Sequence, residues 1–377
     1  MRHNRRHFIS SIALASLGGM SAYGAENISS GEVFDAGSNL EKIREKHEIP
    51  ALAGAVADSS RMLAAGAAGI RCIGKTAKVG VNDRFHFGSL TKSMTATLAA
   101  RLVEQKKVRW NLTVWGALKG LSENIHPFYR EVTLEQLLWH RGGAPAQPPA
   151  DLWEEAWRKK AARRQQRTIF VRGLLKIAPA SIPGTQFTYS NQGYAIAGAM
   201  LEEATGLPWE TMLERELFEK IKMKTAGFGY PGVSEETKEP WGHVLDGKNF
   251  RPIQEDNPPA IGPAGTVHGS VQDLVRYGAL HLRGERGLKT DYLETSSWKK
   301  LHTPASGQIY AMGWERREAA WTRGPAIWHN GSNNLFYAVL WISATRNLAV
   351  GAVANAATED AKQACEEAAS TLAGMVS

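Results

Sequence analysis

Hydrophobic positions fall into two patterns that occupy different parts of the chain. Ala51 to Asp58 and Met62 to Ile70 are short, apolar, rich in alanine and glycine, and separated by the polar turn Asp58-Ser59-Ser60-Arg61. They predict neighbouring strands. Near the other end, Asn334 to Ser343 and Leu348 to Val353 repeat the pattern, joined by Ala344-Thr345-Arg346-Asn347 at hairpin spacing. Helical rhythm dominates elsewhere: Asn39 to His47, Ser89 to Lys106, Leu134 to His140, Tyr194 to Gly206, Val271 to Arg283 and Thr358 to Met375. Ser89 to Lys106 is the clearest, with Leu90, Met94, Leu98, Leu102 and Val103 on one face and alanines between them. The stretch from about Asn111 to Pro263 reads as mixed helix and loop.

Strands at both ends and helices between them predict an α/β fold of the α+β type. An antiparallel sheet is built from both chain ends and flanked by helices, and a mainly helical lobe is inserted. The expected boundaries are an α/β lobe at about 25–88 and 266–377 and a helical lobe at about 89–265. A cleft between two such lobes is a favoured ligand site.

The first residues follow neither pattern. Arg2, Arg5 and Arg6 precede a mildly apolar run from Phe8 to about Met20, and the small residues Ala22-Tyr23-Gly24-Ala25 follow. Basic start, short apolar middle and small-residue exit make residues 1–24 an export signal. Arg5-Arg6 ahead of Phe8-Ile9 resembles the twin-arginine type. The protein is therefore expected outside the cytoplasm, periplasmic or extracellular. Losing the signal removes three arginines and no acid, so the formal charge of +8 falls to +5. No internal run reaches the roughly 18 apolar residues of a membrane span, so none is expected after cleavage.

Much of the remaining positive charge lies between Arg158 and Arg167. Such a run can touch anionic polymers. The simpler expectation is one solvated helix face with Trp153 and Trp157 as its buried stripe, and no nucleic-acid partner. Cys72 and Cys365, the only cysteines, are far apart in sequence and read as two buried thiols. No HExxH or CxxC pattern is present, so neither metal nor cofactor is expected. Nothing in the sequence fixes the oligomeric state.

Three short motifs carry candidate chemistry. Ser89-Leu90-Thr91-Lys92 puts a hydroxyl and an amine on one face of a helix start. An amine deprived of water can accept the serine proton, and unpaired amides at the helix start can hold an oxyanion. Ser296/Lys299 and Ser297/Lys300 share the spacing but run into His302-Thr303-Pro304, without a comparable helix. Tyr189-Ser190-Asn191 lies in a loop before the apolar helix from Tyr194. A phenol beside a lysine ammonium can be driven toward phenolate. His329-Asn330-Gly331-Ser332 leads into a strand, where Gly331 admits a close backbone and the Ser332 N–H is a second oxyanion donor. His86-Phe87-Gly88 and His140-Arg141-Gly142 fit the same short pattern.

In that order, Ser-x-x-Lys, Tyr-x-Asn and His-x-Gly resemble the serine β-lactamase and penicillin-binding protein superfamily. The Tyr-x-Asn form points to its class C-like branch, with D-amino peptidases and family VIII carboxylesterases. The resemblance extends to Pro50–Val56, to Leu137–Gly143 (similar to "LLxHxSG"), to Pro263-Ala264-Gly265 and to Tyr310–Trp314 (similar to a "YGLGW" strand). It implies the β-lactamase/transpeptidase-like fold and a serine hydrolase that forms an acyl-enzyme. Ser89 is then the nucleophile, with Lys92 and Tyr189 handling protons. Asn191 orients Lys92 and substrate, and the amides of Ser89 and Ser332 hold the oxyanion. His329 and Gly331 line the substrate site. Implied substrates are a small-molecule ester or amide, or a D-amino-acid peptide. His329 and Asn330 stand where lysine and threonine are usual, which weakens the β-lactamase and DD-carboxypeptidase readings. A non-catalytic member binding peptidoglycan fragments is the alternative from another class.

Overall fold

The computed structural model describes residues 32–121, 124–158, 160–232 and 237–376. The export segment read at residues 1–24 lies outside these. Seven strands form the central sheet: β1 (Phe34–Asp35), β2 (Ala51–Ala57), β3 (Met62–Gly69), β4 (Glu315–Arg317), β5 (Ala326–Ser332), β6 (Tyr337–Ser343) and β7 (Leu348–Ala354). Their order is β1-β3-β2-β7-β6-β5-β4, antiparallel except where β1 runs beside β3. The two chain ends meet at β2 and β7, with Ala55 opposite Gly351. The fold is the expected one: a mixed α/β fold with a central sheet flanked by helices and an inserted helical lobe.

Strands β2, β6 and β7 are buried along their whole length. That accounts for their unbroken apolar sequences, because both faces are covered. Leu348, Val350 and Ala352 of β7 pack toward α1 (Gly37–Lys46) and α7 (Glu359–Met375), whereas Ala349 and Val353 join the larger core on the opposite face. That core takes in α2 (Thr91–Glu104), α3 (Leu134–Leu138), α4 (Asn191–Thr205), α5 (Val271–Glu285) and α6 (Thr295–His302). Local chemistry sets several ends. Thr133 and Gln136 form a capping box at the start of α3, Ser190 caps α4, and Gly206 ends α4 at φ 77°.

Three sequence expectations need correction. The Arg158–Arg167 run is not one solvated face. It spans the end of helix Ala150–Arg158 and the start of helix Arg163–Lys176. Trp157 is 45% exposed, and Arg167 is fully buried between Glu202 (2.6 Å) and Glu210 (3.0 Å). Periodicity missed this because a buried guanidinium with two carboxylates reads in sequence like surface charge. Next, Tyr310–Trp314 is not a strand: the Ala311 N–H donates to the Trp314 carbonyl (2.7 Å), Gly313 sits at φ 78°, and β4 begins at Glu315. Finally, Ser296, Ser297, Lys299 and Lys300 do lie on a helix, α6, where Lys300 pairs with Glu135 at 2.6 Å. Cys72 and Cys365 are free and buried, as expected. Among the described residues no helix is long and apolar enough to cross a membrane.

Candidate functional site

Ser89 lies in a 3-10 turn, Gly88–Leu90, that runs directly into α2. Its side chain caps no backbone amide. Instead the Ser89 hydroxyl is 2.9 Å from Lys92 Nζ, the product of three-residue spacing on this turn. Ser89 is partly accessible, whereas Lys92 is wholly buried. Burial pushes the Lys92 amine well below the usual lysine value, toward the neutral form that can accept a proton.

The segment Pro263–Val267 clamps the same helix start. Lys92 Nζ donates to the Ala264 carbonyl (2.9 Å) and the Thr95 hydroxyl to the Pro263 carbonyl (2.7 Å). The Val267 N–H donates to the Thr91 hydroxyl (3.1 Å). On the other side stands β5. Gly88, at φ 51°, has no room for a side chain, since a Cβ would come 2.2 Å from the Ser332 nitrogen. A Cβ on Gly331 would come 2.0 Å from the Phe87 carbonyl oxygen and 2.5 Å from the Ser89 nitrogen. Two glycines therefore let the backbones carrying the Ser89 and Ser332 amides touch. The Ser332 hydroxyl itself is turned aside, accepting from the Asn334 N–H (2.8 Å).

Tyr189 completes the group. Lys92 Nζ is 4.7 Å from the Tyr189 ring centroid, and the phenol faces the Ser89 side chain. The ring is 37% exposed and forms an edge of the site. Burial of the phenol raises it above the usual tyrosine value, with the Ser89 hydrogen bond opposing. The expected drive toward phenolate is therefore not favoured, because burial raises the phenol and outweighs the Ser89 hydrogen bond.

His329 is buried on β5. Its Nδ1 faces the Asn330 carbonyl, which can only accept, so Nδ1 carries the proton. Nε2 then accepts from the Tyr310 hydroxyl at 3.3 Å. Desolvation, with Lys92 adding to it, lowers His329 to about 3, so the ring is neutral at pH 7. Asn330 points elsewhere, donating to the Tyr337 hydroxyl (2.9 Å). Asn191 is the one expected contact that does not form. It opens α4, but no hydrogen bond joins it to Lys92, whose second partner is the Ala264 carbonyl. The helix cap is Ser190, the middle residue of the motif, whose hydroxyl accepts from the Gly193 N–H (3.1 Å).

Two histidines that share the His-x-Gly pattern are also in the site. His86 Nδ1 accepts the Gly88 N–H (3.0 Å), while Nε2 lies 2.8 Å from Asp256. His140 grips both neighbours of Tyr189. Its carbonyl accepts the Thr188 N–H (2.8 Å) and its Nδ1 the Ser190 N–H (3.1 Å). Its ring sits among Tyr189, Tyr194 and Tyr310 at centroid distances of 4.4, 5.1 and 4.8 Å. Burial, with Lys92 and His329 nearby, keeps it neutral, well below the usual histidine value. The signal for His140 and Tyr310 was present, in Leu137–Gly143 and Tyr310–Trp314, but only their placement gives them a task. Among the described residues no group of three or more His, Cys, Asp or Glu side chains could hold a metal ion.

A hydroxyl, a desolvated amine and a phenol thus meet at one accessible point beside two converging amides, an arrangement suited to acyl transfer. Residues 37–373 match the family model described as Beta-lactamase. The chain is 25% identical over 315 residues to penicillin-binding protein 4 of Amycolatopsis lactamdurans, covering 80% of this chain and 78% of that one. It is 26% identical over 248 residues to an unguisins hydrolase of Aspergillus violaceofuscus, covering 61% of this chain but only 41% of that longer protein. Among solved structures, a D-stereospecific amidohydrolase from Streptomyces superposes with a TM-score of 0.69 at 20% identity, covering 88% and 98% of the two chains. EstCE1, a hydrolase with promiscuous acyltransferase activity, gives 0.72 at 16% identity, covering 89% and 97%. At such identities these structures speak for the fold alone.

Proposed function

Since the chain belongs to the beta-lactamase family, we propose that it is an exported serine acyl hydrolase that cleaves an ester or amide through an acyl-enzyme on Ser89. One observation carries this reading: the fully buried Lys92 amine 2.9 Å from the Ser89 hydroxyl. Lys92 Nζ takes the Ser89 proton as the oxygen attacks the carbonyl carbon. The Ser89 and Ser332 N–H groups hold the oxyanion, typically a contribution of about 3 kcal/mol for one donor. The Tyr189 phenol, which burial keeps protonated, donates to the leaving group as the intermediate collapses, and Lys92 returns a proton to it. Water then attacks the acyl-enzyme and passes its proton to the same pair. Asn191, at the mouth, contacts substrate rather than Lys92.

Substrate preference follows from His329. Its Nε2 lone pair is occupied by Tyr310, its proton is turned to Asn330, and it is neutral. It offers a substrate carboxylate neither charge nor donor. This favours esters and amides with no carboxylate at that position over β-lactams and peptides ending in D-Ala-D-Ala. The D-amino peptidase reading is kept for substrates with a blocked or amidated end.

The test is intact-protein mass spectrometry after mixing with a short-chain nitrophenyl ester, a D-amino-acid amide or a fluorescent penicillin. An adduct of acyl mass on wild type and none on Ser89→Ala is expected with the ester or the amide. Labelling that persists in Ser89→Ala, or no labelling and no turnover with any probe, would refute the proposal. The latter result, with ligand binding unchanged in the mutant, is what a non-catalytic binding protein would give.

A further inference from the structure

Beneath α2, on the side away from the cleft, lies a second set of buried polar groups that the proposed chemistry does not use. Tyr277, His281 and Glu285 recur every four residues along α5, so they share one face. Ser93 and Thr97 do the same on α2, and His302 comes from α6. Ser93, Thr97, Tyr277, His281 and His302 are each at most 1% exposed. Glu285 lies 2.8 Å from His302 Nδ1, and His302 Nε2 is 2.8 Å from His281 Nδ1. His281 Nε2 is 3.1 Å from the Thr97 hydroxyl. Thr97 donates to the Ser93 carbonyl (2.8 Å), Tyr277 to the Ser93 hydroxyl (3.0 Å), and Ser93 to the Leu90 carbonyl (2.7 Å). The chain of contacts ends one residue from Ser89.

Counting protons along it restricts the arrangement. Thr97 also lies 3.1 Å from the Tyr277 hydroxyl, but with Tyr277 donating to Ser93, Ser93 to the Leu90 carbonyl and Thr97 to the Ser93 carbonyl, all three hydroxyl protons serve the first turns of α2. Thr97 can then only accept from His281, so His281 Nε2 holds a proton and its Nδ1 a lone pair. That lone pair needs the proton of His302 Nε2. His302 Nδ1 now stands 2.8 Å from a carboxylate oxygen without hydrogen-bond alignment, where a lone pair would be repelled, so the contact favours one further proton on His302 as an ion pair with Glu285. Remove that proton and the chain has one alternative. His302 keeps its proton on Nδ1 for Glu285, His281 moves its own to Nδ1, and Thr97 must turn its hydroxyl from Ser93 to His281.

We propose that His281 and His302 are positioning residues: one proton held between His302 and Glu285 sets the tautomer of His281, and through it whether Thr97 braces the helix turn that carries Ser89 and Lys92. The groups facing the pair are Tyr277 and Glu285 from α5, the hydroxyls of Ser93 and Thr97 from α2, and Arg316 from β4, which pairs with Glu285 and donates to the His302 carbonyl (3.1 Å). Burial lowers His302 from the usual histidine value while Glu285 opposes the fall, so the exchange lies on the acid side of the ordinary histidine range.

Two measurements test this, and only the second rests on Ser89 being the nucleophile. In wild-type protein labelled with nitrogen-15 in histidine, two-bond proton–nitrogen spectra report each tautomer. Assignments come from His281→Gln and His302→Gln. His281 is expected to carry its proton on Nε2 at the acid end of the His302 titration and on Nδ1 at about pH 8, changing with that titration. A single His281 tautomer throughout would overturn the proposal. Kinetically, the ratio of kcat/KM between wild type and His302→Gln should be about fivefold higher at the acid end, the worth of one hydrogen bond. A ratio that does not change with pH would count equally against it. If no substrate is turned over, the acyl-hydrolase reading fails while the tautomer measurement still decides this one.

Discussion

Lys92 pays a stability cost for its chemistry. Desolvation lowers the buried amine well below the usual lysine value, with the Ser89 hydroxyl and the Ala264 carbonyl as its hydrogen-bond partners. Lys92→Met keeps the apolar stem and removes the base. It should lower kcat/KM by about 10²- to 10⁴-fold, the usual worth of a general base. Its melting temperature should equal or exceed that of wild type; a variant that melts lower while losing activity would show that the amine is structural. His329 gives a pH signature of its own. Its folded value of about 3 lies below the ordinary 6.5, so the unfolded chain takes up the proton first. Its effect is absent above about pH 6.5, and stability falls as pH drops from there toward 3, by up to about 1.4 kcal/mol per pH unit. His329→Gln should flatten that slope in denaturant titrations at several pH values. An unchanged slope would mean that the ring is solvated.

The helices of the inserted lobe are joined through a buried ion triad. Arg167, on the helix Arg163–Lys176, reaches Glu202 on α4, Glu210 on the next short helix and the Pro259 carbonyl (3.1 Å) just before the Ala264 segment. Removing the guanidinium leaves two carboxylates in the core without their counter-charge. Arg167→Met is expected to cost about 3–5 kcal/mol in urea unfolding. The triple change Arg167→Met, Glu202→Leu and Glu210→Leu should recover most of it. A single change that costs under 1 kcal/mol would show that water reaches the triad. The same element supports the Ala264 carbonyl that orients Lys92, so stability and activity should fall together in the single variant.

In the whole molecule, the sheet is closed by its own two ends, and each thiol lies in a different part of that closure. Cys365 faces the core between α7 and the sheet, and burial raises its thiol well above the usual value. Cys72 follows β3, also buried and raised. Both should resist a water-soluble thiol reagent in the native protein and react together on global unfolding. Fast reaction of either one in native buffer would mean local opening of that edge. Reductant should leave the melting temperature unchanged.

The sequence by itself determined the elements and the chemistry-bearing types. Apolar runs of small residues marked neighbouring strands, and Ser89 and Lys92 had to share a side because three residues separate them on a helical turn. These are short-range consequences of backbone geometry. Only the tertiary structure decided what depends on distant neighbours. Arg167 looked like surface charge until Glu202 and Glu210 enclosed it, and Tyr189 looked like an incipient phenolate until burial proved to raise its phenol instead. Asn191 yielded its expected contact to the Ala264 carbonyl, and His86 and His140 met partners far along the chain, Asp256 and Ser190. Burial and electrostatic environment are properties of assembled surroundings, and no local pattern encodes them.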